Sequence, residues 1–351
     1  MPSSAPTTSE CLRTKAQEPD EAAGLPWLAE GREAAGRTRS RTRSRNRRRS
    51  HWTRTSRTAC RDSQAVTVAC DALPMTVSAE PIPALESSIP PLPVRESHSS
   101  ISTYQGCPRR YAYRYVERLP GEVPLGWFTF GSAVHRAFEA FDRARIAART
   151  HGAALPGYAV LETAFGTAID RSGCAPADIA RFRARGGPVL RAFFERESAS
   201  GAEPIAVELG FGIDVTVAED EPTVRFVGYI DRIDRRPDGA IELVDHKTGK
   251  LRCQADVDRD SQLSAYAFAA ARGALRDPAT GEVLPAPARL GLHFAEPGLT
   301  VWTARTAGEL DAFGQQLSST VGAIRRREFA ASPGWACRWC EYRTTCPDAV
   351  A

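Results

Sequence analysis

Between residues 204 and 304, several runs alternate apolar and polar side chains, some loosely, with the period of two of a half-buried strand, interrupted by one stretch of helical period. Outside that window the helical period prevails. The alternation predicts strands over 205–217, 226–233, 240–247, 290–294 and 299–304, with Pro237-Asp238-Gly239 turning the second into the third as a hairpin. Helices are predicted over 100–116 in two short pieces, 126–149, two within 156–200, then 258–271 and 306–327. Leu119-Pro120-Gly121 ends the first pair, and Gly186-Gly187-Pro188 marks a helix break or start. Tyr104, Tyr111 and Tyr115 fall on one helical face and read as core. Helices, then strands interrupted by one helix, then a closing helix predict an α/β sandwich around a small mixed sheet.

The hairpin carries the first candidate chemistry. Side chains two apart share a strand face, so Asp245 and Lys247 lie together, and the hairpin lets Asp231 approach Asp245. Asp234 faces away. Two carboxylates forced together repel unless a cation sits between them. A hard divalent ion such as Mg²⁺ or Mn²⁺ is the natural occupant. Composition sharpens the reading: of 46 basic residues only Lys15, Lys247 and Lys250 are lysines. A chain that almost always chooses Arg has placed here a compact amine, which can point at a water or a phosphate oxygen. Gln262 and Tyr266, four apart on a predicted helix, face the same way. His135, among Phe128, Val134, Phe138 and Phe141, reads in isolation as a hydrogen-bonded core residue. Glu208 reads as a site carboxylate or, equally, a surface one.

Charge and composition divide the chain. Residues 1–99 hold 15 basic against 11 acidic side chains, whereas 100–351 hold 31 of each. Any nucleic-acid affinity of the folded part must therefore come from a local patch or a metal. Twelve Arg among Ser and Thr over 32–61, with hardly an apolar residue, cannot bury enough surface to offset ordering entropy. Residues 1–99 are accordingly expected to be an Arg-rich, then Pro/Ser-rich tail, and 100–348 the folded domain. The Arg run reads as a nucleic-acid-binding arm, or else Met75, the only Met after Met1, is the true start. No apolar run approaches a membrane span and no secretory stretch opens the chain, which leads to an expectation of a cytoplasmic protein.

Nine Cys in a cytoplasmic chain argue against a disulfide framework. Cys337, Cys340 and Cys346 form C-x2-C-x5-C, and Cys107-Pro108 supplies a distant fourth thiol. Four such ligands suit either Zn²⁺ or an iron–sulfur cluster, and spacing alone leaves both open. Either would pin the end of the chain onto its first helices.

Taken together and in order, these motifs resemble the PD-(D/E)XK nuclease superfamily, above all its RecB-like exonuclease branch. That branch includes the iron–sulfur nuclease domains of AddB-type helicase–nucleases and of CRISPR adaptation. Phe-Gly-Ser-Ala-Val-His (130–135) resembles the helical His motif, and Gly-Tyr-Ile-Asp-Arg-Ile-Asp (228–234) the motif carrying the first Asp. Val-Asp-His-Lys-Thr-Gly (244–249) resembles the D/E-x-K strand, and Gln262-Leu-Ser-Ala-Tyr266 the Q-x3-Y helix. Cys107, Cys337, Cys340 and Cys346 match the split pattern that in this branch holds a 4Fe–4S cluster.

The resemblance implies a restriction-endonuclease-like sandwich and a metal-dependent DNA exonuclease acting on single strands or free ends in recombination and repair, with a helicase as partner. It turns His135 into a metal ligand beside Asp231, Asp245 and the backbone carbonyl of His246. It makes Lys247 the group that orients the attacking water and stabilises the phosphate, with Gln262 and Tyr266 positioning Lys247 or DNA. Arg232 and Lys250 become candidate phosphate contacts. The alternative is a non-catalytic DNA-binding or scaffold protein on the same fold, which has no need of the Asp/Asp/Lys/Gln/Tyr set. A helicase motor is disfavoured, because no G-x4-G-K-[ST] phosphate loop occurs.

Overall fold

The centre of the protein is one long strand whose two edges do different work. In the computed structural model, which describes residues 90–122, 128–217 and 223–350, this strand is β3, Val224–Arg235. Strand β2, Glu203–Val215, runs antiparallel along one edge of β3. The other edge is shared: β1, Arg95–Ser97, pairs parallel with residues 225–227, and β4, Ile241–Lys247, pairs antiparallel with 232–235. Beyond β4 lie β5, Arg289–Phe294, in parallel, and β6, Leu299–Thr303, antiparallel to β5. The sheet is mixed, as expected. The described residues belong to one compact unit, Ser87–Ala351.

Helices cover both faces. On one lie α1, His98–Gly106, α7, Ser261–Ala271, and α8, Ala307–Arg325; on the other lie α3, Thr129–His151, α4, Ala159–Asp170, and α5, Pro176–Ala199. Two apolar cores result. Tyr111, Phe226, Ile230, Leu243, Tyr266 and Val321 belong to the first, and Phe138, Phe165, Leu190 and Phe193 to the second. Between α1 and α3, the short helix α2, Pro108–Tyr111, runs into a π-helical turn, Ala112–Val116, and α6, Gln254–Asp258, precedes α7. The tyrosine stripe is core, with Tyr104 edge-on to Tyr111 and Tyr111 packed on Tyr115. The α/β sandwich read from periodicity is therefore the observed fold class.

Three local readings change. Strand β1 forms inside the stretch read as a linker, ahead of Ser100; the rest of the expected tail, up to residue 89, lies outside the described residues. Gly186-Gly187-Pro188 neither breaks nor starts a helix, because α5 continues through it. Packing explains this: the Phe165 ring occupies the space beside Gly186 that a side chain would need. The helix expected over 258–271 starts three residues later, as α7, behind the separate α6: Asp260 is its N-cap, and its carboxylate accepts the Leu263 amide at 2.9 Å.

Candidate active site

The ladder between β3 and β4 runs from Arg235↔Ile241 to Arg232↔Val244 and stops. The strands part at Asp231 and Asp245, and the Asp231 side chain fills the fork. Its Oδ2 accepts the His246 backbone N–H at 2.8 Å, satisfying a donor the ladder leaves behind. Helix α3 comes close to the end of β4: a Cβ on Gly131 would lie 2.9 Å from Thr248 Oγ1. That approach seats His135 with Nδ1 3.4 Å from Asp231 Oδ2.

From the opposite face α7 completes a closed ring of contacts. Lys247 Nζ donates to Gln262 Oε1 at 2.7 Å, Gln262 Nε2 donates to the Tyr266 hydroxyl at 2.8 Å, and that hydroxyl donates to Asp245 Oδ1 at 2.9 Å. Lys247 Nζ closes the ring at 2.6 Å from Asp245 Oδ2. This last contact is an ion pair whose geometry is not that of a hydrogen bond, so the buried Oδ2 has no directed donor. The structure thus brings His135, Asp231, Asp245, Lys247, Gln262 and Tyr266 together. His246 divides its roles. Its imidazole points away, packed against Phe138 and Phe193 with Nδ1 2.9 Å from His293 Nδ1, while its backbone stays at the fork.

The electrostatics of the fork suit a cation. Burial, then the neighbouring Asp245, pushes the Asp231 carboxyl up to about 8, against the opposing His246 N–H. Burial lowers His135, keeping its imidazole neutral with a lone pair free to ligate. Burial and Asp245 raise Tyr266 well above the usual phenol range, so it remains a donor. Two crowded carboxylates, one with an oxygen no donor is directed at, and a neutral imidazole fit a hard divalent ion. As placed, no group of three or more His, Cys, Asp or Glu among the described residues stands ready-made around a metal.

Asp231 gives the stability of the metal-free fold a pH dependence. The metal-free folded protein keeps a proton up to about pH 8 that the unfolded chain releases near 3.8. Between those values the native state binds more protons than the unfolded one, so stability falls as pH rises. In EDTA the melting temperature is expected to drop from about pH 5 to about pH 8, and Mn²⁺ to restore it most at the higher pH. A melting temperature flat in pH and indifferent to Mn²⁺ would count against a cation site here.

Glu208 was only half legible. The pairs Val207↔Arg232 and Leu209↔Ile230 bracket it opposite Asp231, and its backbone is left-handed, φ 52°. Burial, then Glu139, raises its carboxyl. It lines a cleft of about 460 Å³ together with His135, Arg136, Glu139 and Thr248. A non-glycine residue held at positive φ was the signal, and only backbone geometry displays it.

Arg232 does not face phosphate. Its guanidinium is buried and bonded to Asp234 Oδ1 at 2.6 Å, Glu197 Oε2 at 2.7 Å and Asp142 Oδ2 at 3.3 Å. The first-motif strand places its Arg toward α3 and α5, where three carboxylates require a cation. Lys250 is exposed in the loop after β4.

Cys107, Cys337, Cys340 and Cys346 line one small cavity, and none is in a disulfide. The amides of Ser332 and Gly334 point at Cys107 Sγ and Cys337 Sγ, both at 3.5 Å. Protein contacts alone already fasten this segment: Glu341 pairs with Arg110 at 2.7 Å, and Tyr342 is buried against Tyr113.

Residues 95–347 match the family model described as PD-(D/E)XK nuclease superfamily. Among solved structures the chain is similar to the protein SSO0001, at 14% identity and a TM-score of 0.30, over 64% of this chain and 96% of that one. It is also similar to a protein from Eubacterium rectale named "Putative exonuclease", at 13% identity and a TM-score of 0.40, over 73% of this chain and 91% of that one. No curated protein matches.

Proposed function

The chain belongs to the PD-(D/E)XK nuclease superfamily, and we propose that it is a metal-dependent DNA exonuclease of the RecB-like branch, cutting single strands or free ends in recombination and repair. The observation that carries this reading is the ring Asp245–Tyr266–Gln262–Lys247 closed beside Asp231. A scaffold has no use for an ammonium held on two sides next to crowded carboxylates.

Asp231, Asp245, His135 and the His246 carbonyl would hold the divalent ion. When bound, such an ion lowers the pKa of a water and offsets charge developing on the phosphoryl oxygens. The protein's own groups do the rest. Gln262 and Asp245 fix the Lys247 ammonium, which orients the attacking water and donates to the phosphoryl oxygen as charge builds there. Tyr266, held protonated, fixes the Asp245 carboxylate. Glu208, across from Asp231, adds a third carboxylate at the cleft.

We propose a 4Fe–4S cluster, with Zn²⁺ as the competing occupant, for the four thiols that line one cavity. Amides aimed at two of the sulfurs support a thiolate-held group. A helicase that delivers the strand is the partner the branch suggests.

The test is cleavage of end-labelled single-stranded DNA by anaerobically purified protein with Mg²⁺, Mn²⁺ or EDTA. Metal-dependent release of labelled product, absent in EDTA, is the expected result, and the labelled end reports polarity. The same preparation is expected to be brown from its cluster; a colourless protein holding zinc would assign the thiols to zinc. A folded, metal-loaded protein that binds DNA without cutting it would make this a binding module.

A further inference from the structure

Beyond the cover of α3, the sheet face next to the fork carries an exposed strip. Tyr229 stands two residues before Asp231 on β3, about 7 Å along the strand, and its side chain is 65% exposed. It pairs with Gly210 of β2, and a Cβ on Gly210 would lie 3.2 Å from the Tyr229 ring. The ring therefore lies down over the glycine, with its outer side toward solvent. Arg225 repeats the arrangement: its guanidinium lies across Gly212, where a Cβ would be 2.7 Å from Nε. Asp214 holds it there through a 2.7 Å ion pair. Two planar groups thus lie flat on one uninterrupted face, both over glycines of β2, in line with Asp231.

We propose that this strip is the track for a single strand of DNA, with Tyr229 stacking the base of the nucleotide next to the one being cut. The inference rests on the nuclease reading for its direction, since the track runs from Asp231 and Glu208 outward. Flat aromatic rings and guanidinium planes are the groups on which unpaired bases stack, and stacking tolerates any sequence. A duplex presents no free base faces along its side and gains nothing from the ring. Arg225, its charge met by Asp214, adds a second flat group farther along, about 20 Å from Asp231.

A ring over a cross-strand glycine also stabilises a sheet, so the variants must separate cover from stacking. Tyr229→Leu keeps apolar cover and removes the aromatic face; Tyr229→Trp keeps both; Tyr229→Ala removes both. Affinity of the full chain for single-stranded DNA is measured by fluorescence anisotropy in EDTA, beside a thermal melt. Tyr229→Leu and Tyr229→Ala are each expected to weaken binding about tenfold, and Tyr229→Trp to bind at least as tightly as the parent. A single abasic site placed along the strand should penalise the parent at one position and leave Tyr229→Ala indifferent there. Parent-like binding by Tyr229→Leu, or an abasic penalty unchanged in Tyr229→Ala, overturns the track. Cleavage by the parent is recorded on the same DNA. If the parent cleaves and the Tyr229 variants are unaltered, only the track fails. If the parent binds with the Tyr229 dependence but does not cleave, the track stands and the nuclease reading fails.

Discussion

Lys247→Ala is expected to lower DNA cleavage by about 10³-fold, the scale seen when one preorganised donor to a developing anion is removed. The protein should remain folded. The Lys247 side chain is about a quarter exposed, and its partners Gln262 and Asp245 retain Tyr266 between them. Asp245→Asn should be at least as damaging, since it removes the charge proposed to hold the cation and replaces one of the two oxygens that fix Tyr266 and Lys247 with a donor. Gln262→Ala should cost less, on the order of tenfold to a hundredfold, because Asp245 still holds the ammonium. The ordering Asp245, Lys247, Gln262 in single-turnover rate, at parent-like melting temperature, is the signature of a catalytic ring. Full cleavage by Lys247→Ala would end the assignment of that residue.

Arg232→Ala is expected to destabilise the protein by about 3–5 kcal/mol, since it strands buried carboxylates around an absent cation. For a domain of this size that corresponds to a fall on the order of 10 °C in melting temperature. Asp142 of α3, Glu197 of α5 and Asp234 of β3 all converge on the guanidinium, and Arg145 joins Glu197 at 2.6 Å. The same cluster ties α3, which carries His135 two turns before Asp142, to the strand that carries Asp231. Arg232→Lys keeps the charge without the fork and should fall between the two. A direct phosphate contact would behave differently: parent-like melting with weakened DNA binding. Thermal melts beside DNA-binding curves distinguish the two roles.

Much of the site was legible because it is built from short-range regularities. Asp245 and Lys247 share a face because strand side chains alternate, and Pro237-Asp238-Gly239 turns the chain so that Asp231 can come back toward them. Gln262 and Tyr266 share a helix face, and the structure closes them onto Lys247 and Asp245. The imidazole of His246 pointing away follows from the same alternation. Most helices and strands came from period alone, with boundaries shifted by a few residues at Asp260 and at the ends; β1 and α6 did not.

Local pattern is therefore enough to give most of the elements and their order, strand β1 and helix α6 excepted, and which chemical groups each carries on which face. Those depend on neighbours two to four residues apart. The tertiary structure decided the rest. It put Arg232 in a buried ion network, because Asp142 and Glu197 reach it from helices far away in the chain. It carried α5 straight through Gly186-Gly187-Pro188, because Phe165 of another helix fills the space beside the glycine. It held Glu208 at positive φ opposite Asp231, and left Tyr229 lying bare on Gly210. Each of these outcomes is set by a partner distant in sequence, and no local periodicity encodes such a partner.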